Sequence, residues 1–112
     1  MLAEAYLMDE KIMPINTVFI APEKVDKFEL FQNKPNPFTN QTIIPFYLPK
    51  TEIIDLKIMD SQGRNLQRIT RKYDKGMHEI IIDKRAVPAT GLLYYQLTDG
   101  KTVLTKKMLL LE

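Results

Sequence analysis

Ser61 is the only serine in the chain and His78 the only histidine, so any Ser-His-Asp nucleophile would have to be built from these two residues and an aspartate. Ser61 lies inside Asp60-Ser61-Gln62-Gly63, which reads as a type I turn with Asp first and Gly last. That favours a turn role for Ser61. His78 shares parity with Ile80 and Ile82 in an alternating run, which makes it a half-buried residue near a strand end. A metal site would need further His or Cys partners, and the chain has no cysteine. Asp55, Asp60, Asp83 and Asp99 fall on separate strands and turns, so their spacing pairs none of them as acid and base. The Asp60–Gly63 stretch lacks the twelve-residue ligand pattern and closing Glu of a calcium loop. No glycine-rich phosphate loop is present. The chemistry-bearing residues therefore point away from an enzyme and call for no cofactor or metal.

The elements around these residues read as strands. Ile44, Phe46 and Leu48 alternate with Ile43, Pro45 and Tyr47; Ile54, Leu56 and Ile58 alternate with Asp55, Lys57 and Met59. The runs from His78 to Ile82 and from Leu93 to Leu97 repeat the pattern. Gly63, Gly76, Gly91 and Gly100 fall between the runs, and Asp99-Gly100 signals a two-residue type I′ hairpin. Strands are expected near 28–32, 42–48, 53–60, 64–72, 77–83, 92–98 and 102–111. Leu66 and Ile69 are three apart rather than two, which indicates a bulge in the fourth strand. Pro45 cannot donate to a ladder, which makes its strand an edge or a locally bulged one. Pro35 and Pro37 stiffen Asn33–Phe38 into a rigid segment carrying an exposed aromatic. The fold class is all-β, an antiparallel β-sandwich of about seven strands.

Composition bounds the partners. The 112 residues carry a net charge of +2, unevenly spread: three Lys against six Asp/Glu over residues 1–30, and thirteen Lys/Arg against eight Asp/Glu over residues 31–112. The shift suggests a boundary. It is too mild for nucleic acid, and no aromatic platform lies among the basic residues. No run approaches the roughly 18 apolar residues of a membrane span. The start, Met1–Glu10, shows no basic region followed by an apolar run, so no export leader is read there. Two further strand-like pieces, Ala3–Leu7 and Met13–Ile20, precede a linker at Ala21–Lys24.

Several motifs occur in a fixed order: Phe28–Phe38 (FELFQNKPNPF), Thr42–Pro49 (TIIPFYLP), Leu56–Arg64 (LKIMDSQGR), Gly76–Asp83 (GMHEIIID), Gly91–Leu97 (GLLYYQL) and Thr105–Leu111 (TKKMLLL). Together they resemble the type A C-terminal sorting domain of the type IX secretion system of Bacteroidetes, over residues 28–111. Leu93, Met59 and Pro45 depart from the family pattern, the first two by exchanging one bulky apolar group for another. The resemblance implies an immunoglobulin-like sandwich that ends a larger exported cargo. It further implies recognition by the outer-membrane translocon, removal by a sortase-like cysteine protease, and cargo anchored to lipopolysaccharide or released. The resemblance also implies passage through the periplasm to the cell surface or medium.

On this reading residues 23–112 are the sorting domain, and residues 1–22 are a hairpin remnant of the upstream domain whose unpaired edge invites a dimer. The basic pair and apolar strand at the end, Lys106, Lys107, Met108, Leu109, Leu110 and Leu111, are the candidate translocon contact, with both lysines facing the receptor. Pro35, Asn36, Pro37, Phe38, Asp60, Gly63, Arg64, Gly76, Gly91 and Tyr95 are family positions with structural roles. The alternative is a non-catalytic extracellular binding or self-assembly module. A carbohydrate-binding face is disfavoured because the chain has no Trp and its five Tyr are scattered.

Overall fold

A computed structural model describes residues 26–112. The expected hairpin over residues 1–22, and the dimer edge that rested on it, lie outside the described residues. Seven strands follow in order: β1 (Glu29–Leu30), β2 (Gln41–Leu48), β3 (Glu52–Asp60), β4 (Asn65–Tyr73), β5 (Gly76–Asp83), β6 (Gly91–Thr98) and β7 (Val103–Leu110). A short 3-10 turn at Lys84–Ala86 precedes β6. The strands form two antiparallel sheets, ordered β1-β2-β5 and β4-β3-β6-β7. This is the expected all-β sandwich. The fourth strand pairs with β3, not with β5, so Asp74 and Lys75 carry the chain from one sheet to the other.

Alternation decides what the sheets bury. Ile44, Phe46, Leu48, Ile80 and Ile82 point inward from the small sheet; Ile54, Leu56, Ile58, Leu93, Tyr95, Leu97, Met108 and Leu110 point inward from the large one. Leu30 and Phe38 join the same core. Each large side chain so buried stabilises the fold by about 1.5–3 kcal/mol.

Both irregularities read from the sequence have a structural counterpart. Ile58 pairs with Gln67 and Met59 with Asn65, so Leu66 is the extra residue of a bulge in β4. Pro45 sits on the central strand of its sheet, paired with Glu79 of β5, so β2 is not an edge. The irregularity lies beside it. Three residues separate Leu30 from Lys34, where two separate Ile43 from Phe46, although Leu30 pairs with Phe46 and Lys34 with Ile43. Across from Pro45, the Phe31 amide donates to the Pro45 carbonyl at 3.0 Å. The facing chain then swings out, so the missing proline N–H breaks no regular ladder.

Two expectations are corrected. The β6–β7 hairpin has a four-residue loop, because Thr98 pairs with Val103. The Asp99 carboxylate accepts the Lys101 and Thr102 amides at 2.9 and 2.8 Å, holding a wider turn than type I′. Phe38, read as an exposed aromatic, is 1% exposed. Its flanking prolines and polar neighbours suggested surface, but the corner folds inward over the open side of the sandwich.

Candidate functional site

The rigid corner and the C-terminal strand, separate features in the sequence, form one structure. β7 is an edge strand of the large sheet, so one side of its backbone needs partners from elsewhere. The corner supplies them. The Gln32 side-chain amide donates to the Lys107 carbonyl at 2.8 Å. The Leu109 amide donates to the Asn36 side-chain carbonyl at 3.0 Å. The Phe38 amide donates to the Leu109 carbonyl at 3.0 Å, and the Leu111 amide to the Phe38 carbonyl at 2.9 Å. Phe38 thereby forms a parallel bridge with Leu110. Both peptide bonds into Pro35 and Pro37 are cis.

A buried polar network anchors this corner. Tyr95 is fully buried; its hydroxyl donates to the Phe31 carbonyl at 2.7 Å and accepts the Asn33 amide at 2.9 Å. The Asn33 side chain, itself buried, donates to Thr42 Oγ1 at 2.9 Å and to the Pro35 carbonyl at 3.1 Å. Thr42 Oγ1 donates to the same carbonyl at 2.8 Å. Burial pushes the Tyr95 hydroxyl up to about 12, because its anion would lie away from water. Sequence reading missed Asn33 and Thr42. The one available signal was Thr42 sharing the inward parity of Ile44 and Phe46, a polar residue on an apolar face.

The candidate contact residues divide by parity. Met108 and Leu110 are buried, and Lys106, on the same side of the strand, is half-buried opposite Tyr95. Lys107 and Leu111 are exposed and Leu109 is half-buried on the opposite, outer face. The two lysines therefore do not face one receptor together, since neighbouring strand residues point to opposite sides. Leu92 pairs with Leu109, and Tyr94 with Lys107, so the outer ridge continues onto β6.

The remaining family positions shape turns and strand starts. The Asp60 carboxylate accepts the Gln62 and Arg64 amides, each at 2.9 Å, and pairs with Arg64 Nε at 2.6 Å. These bonds, the Arg64 amide first, hold its carboxyl below the usual value. The Gly63 amide closes the expected turn on the Asp60 carbonyl at 3.0 Å, with φ +86° at Gly63. Gly76 and Gly91 open β5 and β6.

The groups weighed for catalysis lie apart. Ser61 follows the end of β3, whereas His78 packs against Phe46 and Tyr73, and Tyr73 pairs with Glu52 at the start of β3. The length of β3, roughly 26 Å at about 3.3 Å per residue, separates them. His78 is half-buried, and its Nε2 contacts the Asp74 carbonyl at 2.6 Å. Asp55 is engaged by Arg68 and Thr70, and Asp83 by Arg85 and Gln41.

The fold and this cross-braced end define a small β-sandwich domain whose last strand is locked to its first corner. Residues 34–111 match the secretion system C-terminal sorting domain family, and the chain belongs to it. It is a C-terminal sorting signal for type IX secretion, which marks a secreted protein bound for the cell surface through that machinery. A search of curated proteins found no match. Among the described residues, no helix is long and apolar enough to cross a membrane.

Proposed function

We propose that the secretion machinery reads this domain through the outward side chains of its last strand, Lys107, Leu109 and Leu111, extended by Leu92 and Tyr94. The observation that carries the reading is the occupied backbone edge of β7. Gln32, Asn36 and Phe38 take up the hydrogen-bonding groups of residues 107–111, so a receptor meets side chains there. Lys106, Met108 and Leu110 serve the fold, because they point inward or are half-covered. The domain ends a larger cargo that reaches it through the periplasm, and the translocon is the partner that binds the ridge. A sortase-like protease then cuts at or before the exposed Asp26-Lys27 stretch, and the cargo is anchored or released. The domain itself supplies no catalytic step, and its Ser61, His78 and aspartates serve turns and packing.

The test is a periplasmic reporter fused to this chain in a competent Bacteroidetes host. Deleting the tail would remove Met108 and Leu110 from the core, so truncation confounds folding with recognition. Lys107→Glu with Leu111→Ser changes only the outer face. The reporter should accumulate in the periplasm while the melting temperature of the isolated chain stays unchanged. Normal export of the double variant would sink the ridge as the recognition element.

A further inference from the structure

The outer face of the three-stranded sheet is apolar where a surface would ordinarily be polar. Because Ile44, Phe46, Ile80 and Ile82 point inward, alternation sends Ile43, Pro45, Tyr47, Met77 and Ile81 outward. Met77 is 58% exposed and Ile81 62%, and Phe31, at 37%, joins them from the segment after β1. Tyr47 pairs with Met77 and Ile43 with Ile81, while Pro45 pairs with Glu79 between them, so the apolar side chains form a strip interrupted on β5 by one carboxylate. An open depression of about 500 Å³ runs between Phe31, Pro45 and Met77. On the outer face of the other sheet, polar side chains from Asp55, Lys57, Arg68, Thr70 and Gln96 separate the apolar Ile53 from Leu92 and Tyr94.

We infer that this strip is a docking groove for the chain's own residues Met13–Ile20, which lie outside the described residues. The size of the strip selects the occupant. Eight-residue strands at about 3.3 Å per residue and a width of two to three strands at about 4.8 Å give roughly 300 Å². A stable interface with another globular protein needs about 800 Å² from each partner. One extended segment of eight residues, about 26 Å long, matches the strip.

Chemistry and reach agree. Met13-Pro14-Ile15-Asn16-Thr17-Val18-Phe19-Ile20 has five large apolar side chains, and no charged residue stands between Lys11 and Glu23. Six residue steps from Ile20 to Asp26 span up to about 20 Å. Glu29 pairs with Tyr47 in the same row as Met77, so the chain enters the sheet at one end of the strip. Docked there, the segment would remove the apolar strip from water and fix the sorting domain against whatever precedes it. This inference does not depend on how the translocon reads the tail.

The test uses the full 112-residue chain with Met77→Cys, which carries the chain's sole thiol, since the native sequence has no cysteine. A nitroxide on that thiol should erase the amide NMR signals of residues 13–20 in the same molecule. Adding Val18→Asp and Phe19→Asp should restore the signals of the segment. Mixing spin-labelled, isotope-free chain with unlabelled, ¹⁵N-enriched chain should leave the segment's signals intact. Loss of signal in that mixture would assign the groove to a second copy and overturn docking within one chain. Retention of the signals in both samples would overturn the proposal and leave the strip open to an outside partner.

Discussion

Replacing Tyr95 by Phe should remove about 2 kcal/mol of stability while leaving the shape of the core intact. The ring is fully buried and remains so in the variant, so no cavity opens. What disappears is a hydroxyl that bonds two backbone groups at once, at 2.7 and 2.9 Å. The Asn33 amide is buried and would keep no partner, at a cost of about 1–3 kcal/mol for an unsatisfied buried group. The Phe31 carbonyl lies nearer the surface and regains water, so it adds less. A loss of about 2 kcal/mol is a large share of the roughly 5–15 kcal/mol that a domain has in all. It corresponds to about 10 °C in melting temperature for a domain of this size. Urea and thermal unfolding followed by circular dichroism on the full chain measure it.

The same substitution has a pH signature. The Tyr95 hydroxyl is held protonated in the fold up to about 12, against 10.0 in the unfolded chain. Its contribution is complete below 10.0 and is lost as pH rises towards 12, because the unfolded chain ionises first. The readout is the difference between the two proteins, in which the groups they share cancel. The stability gap between wild type and Tyr95→Phe should narrow across that window. A loss below about 0.5 kcal/mol at neutral pH, where one net hydrogen bond alone contributes that much, would refute the brace. So would a constant gap at alkaline pH.

Asn36→Ala removes the acceptor for the Leu109 amide, which should speed hydrogen exchange at Leu109 and cost about 1 kcal/mol without unfolding the domain. Gly63→Ala forces a Cβ onto a backbone at φ +86° and should cost about 1–2 kcal/mol in urea unfolding, although the added atom meets open space. Asp60 has its carboxyl held below the ordinary 3.8, so its stabilising contribution is present above that value and is lost as the solution is acidified further. Asp60→Asn should therefore flatten the acid limb of the stability curve; an unchanged limb would show that the turn does not sense the charge. Met108→Ala should destabilise by about 2–5 kcal/mol, since its side chain is 1% exposed, whereas Lys107→Glu should leave the unfolding midpoint in place.

Much of the molecule was legible in residues alone. Period-two alternation marked β2, β3, β5 and β6 because a half-buried strand must send every second side chain inward. Leu66 and Ile69 broke that period, and the break is the bulge in β4. Asp60 and Gly63 announced their turn because it uses a local carboxylate and a positive φ. The ordered motifs identified the family. Other features depend on which strands become neighbours, and local pattern is silent on that. Pro45 marks an edge or a bulge, and only the pairing decides between them: its strand is central, and the facing segment bulges away beside it. Phe38 looked exposed, yet it closes the core. Lys106 and Lys107 looked like one basic pair until the sandwich assigned them to opposite faces. The rigid corner at Asn33–Phe38 and the strand at Lys106–Leu111 are more than 60 residues apart in the chain. Only the closing of the two sheets brings them together, because an edge strand with unpaired backbone groups takes its partners from whatever segment folds alongside it.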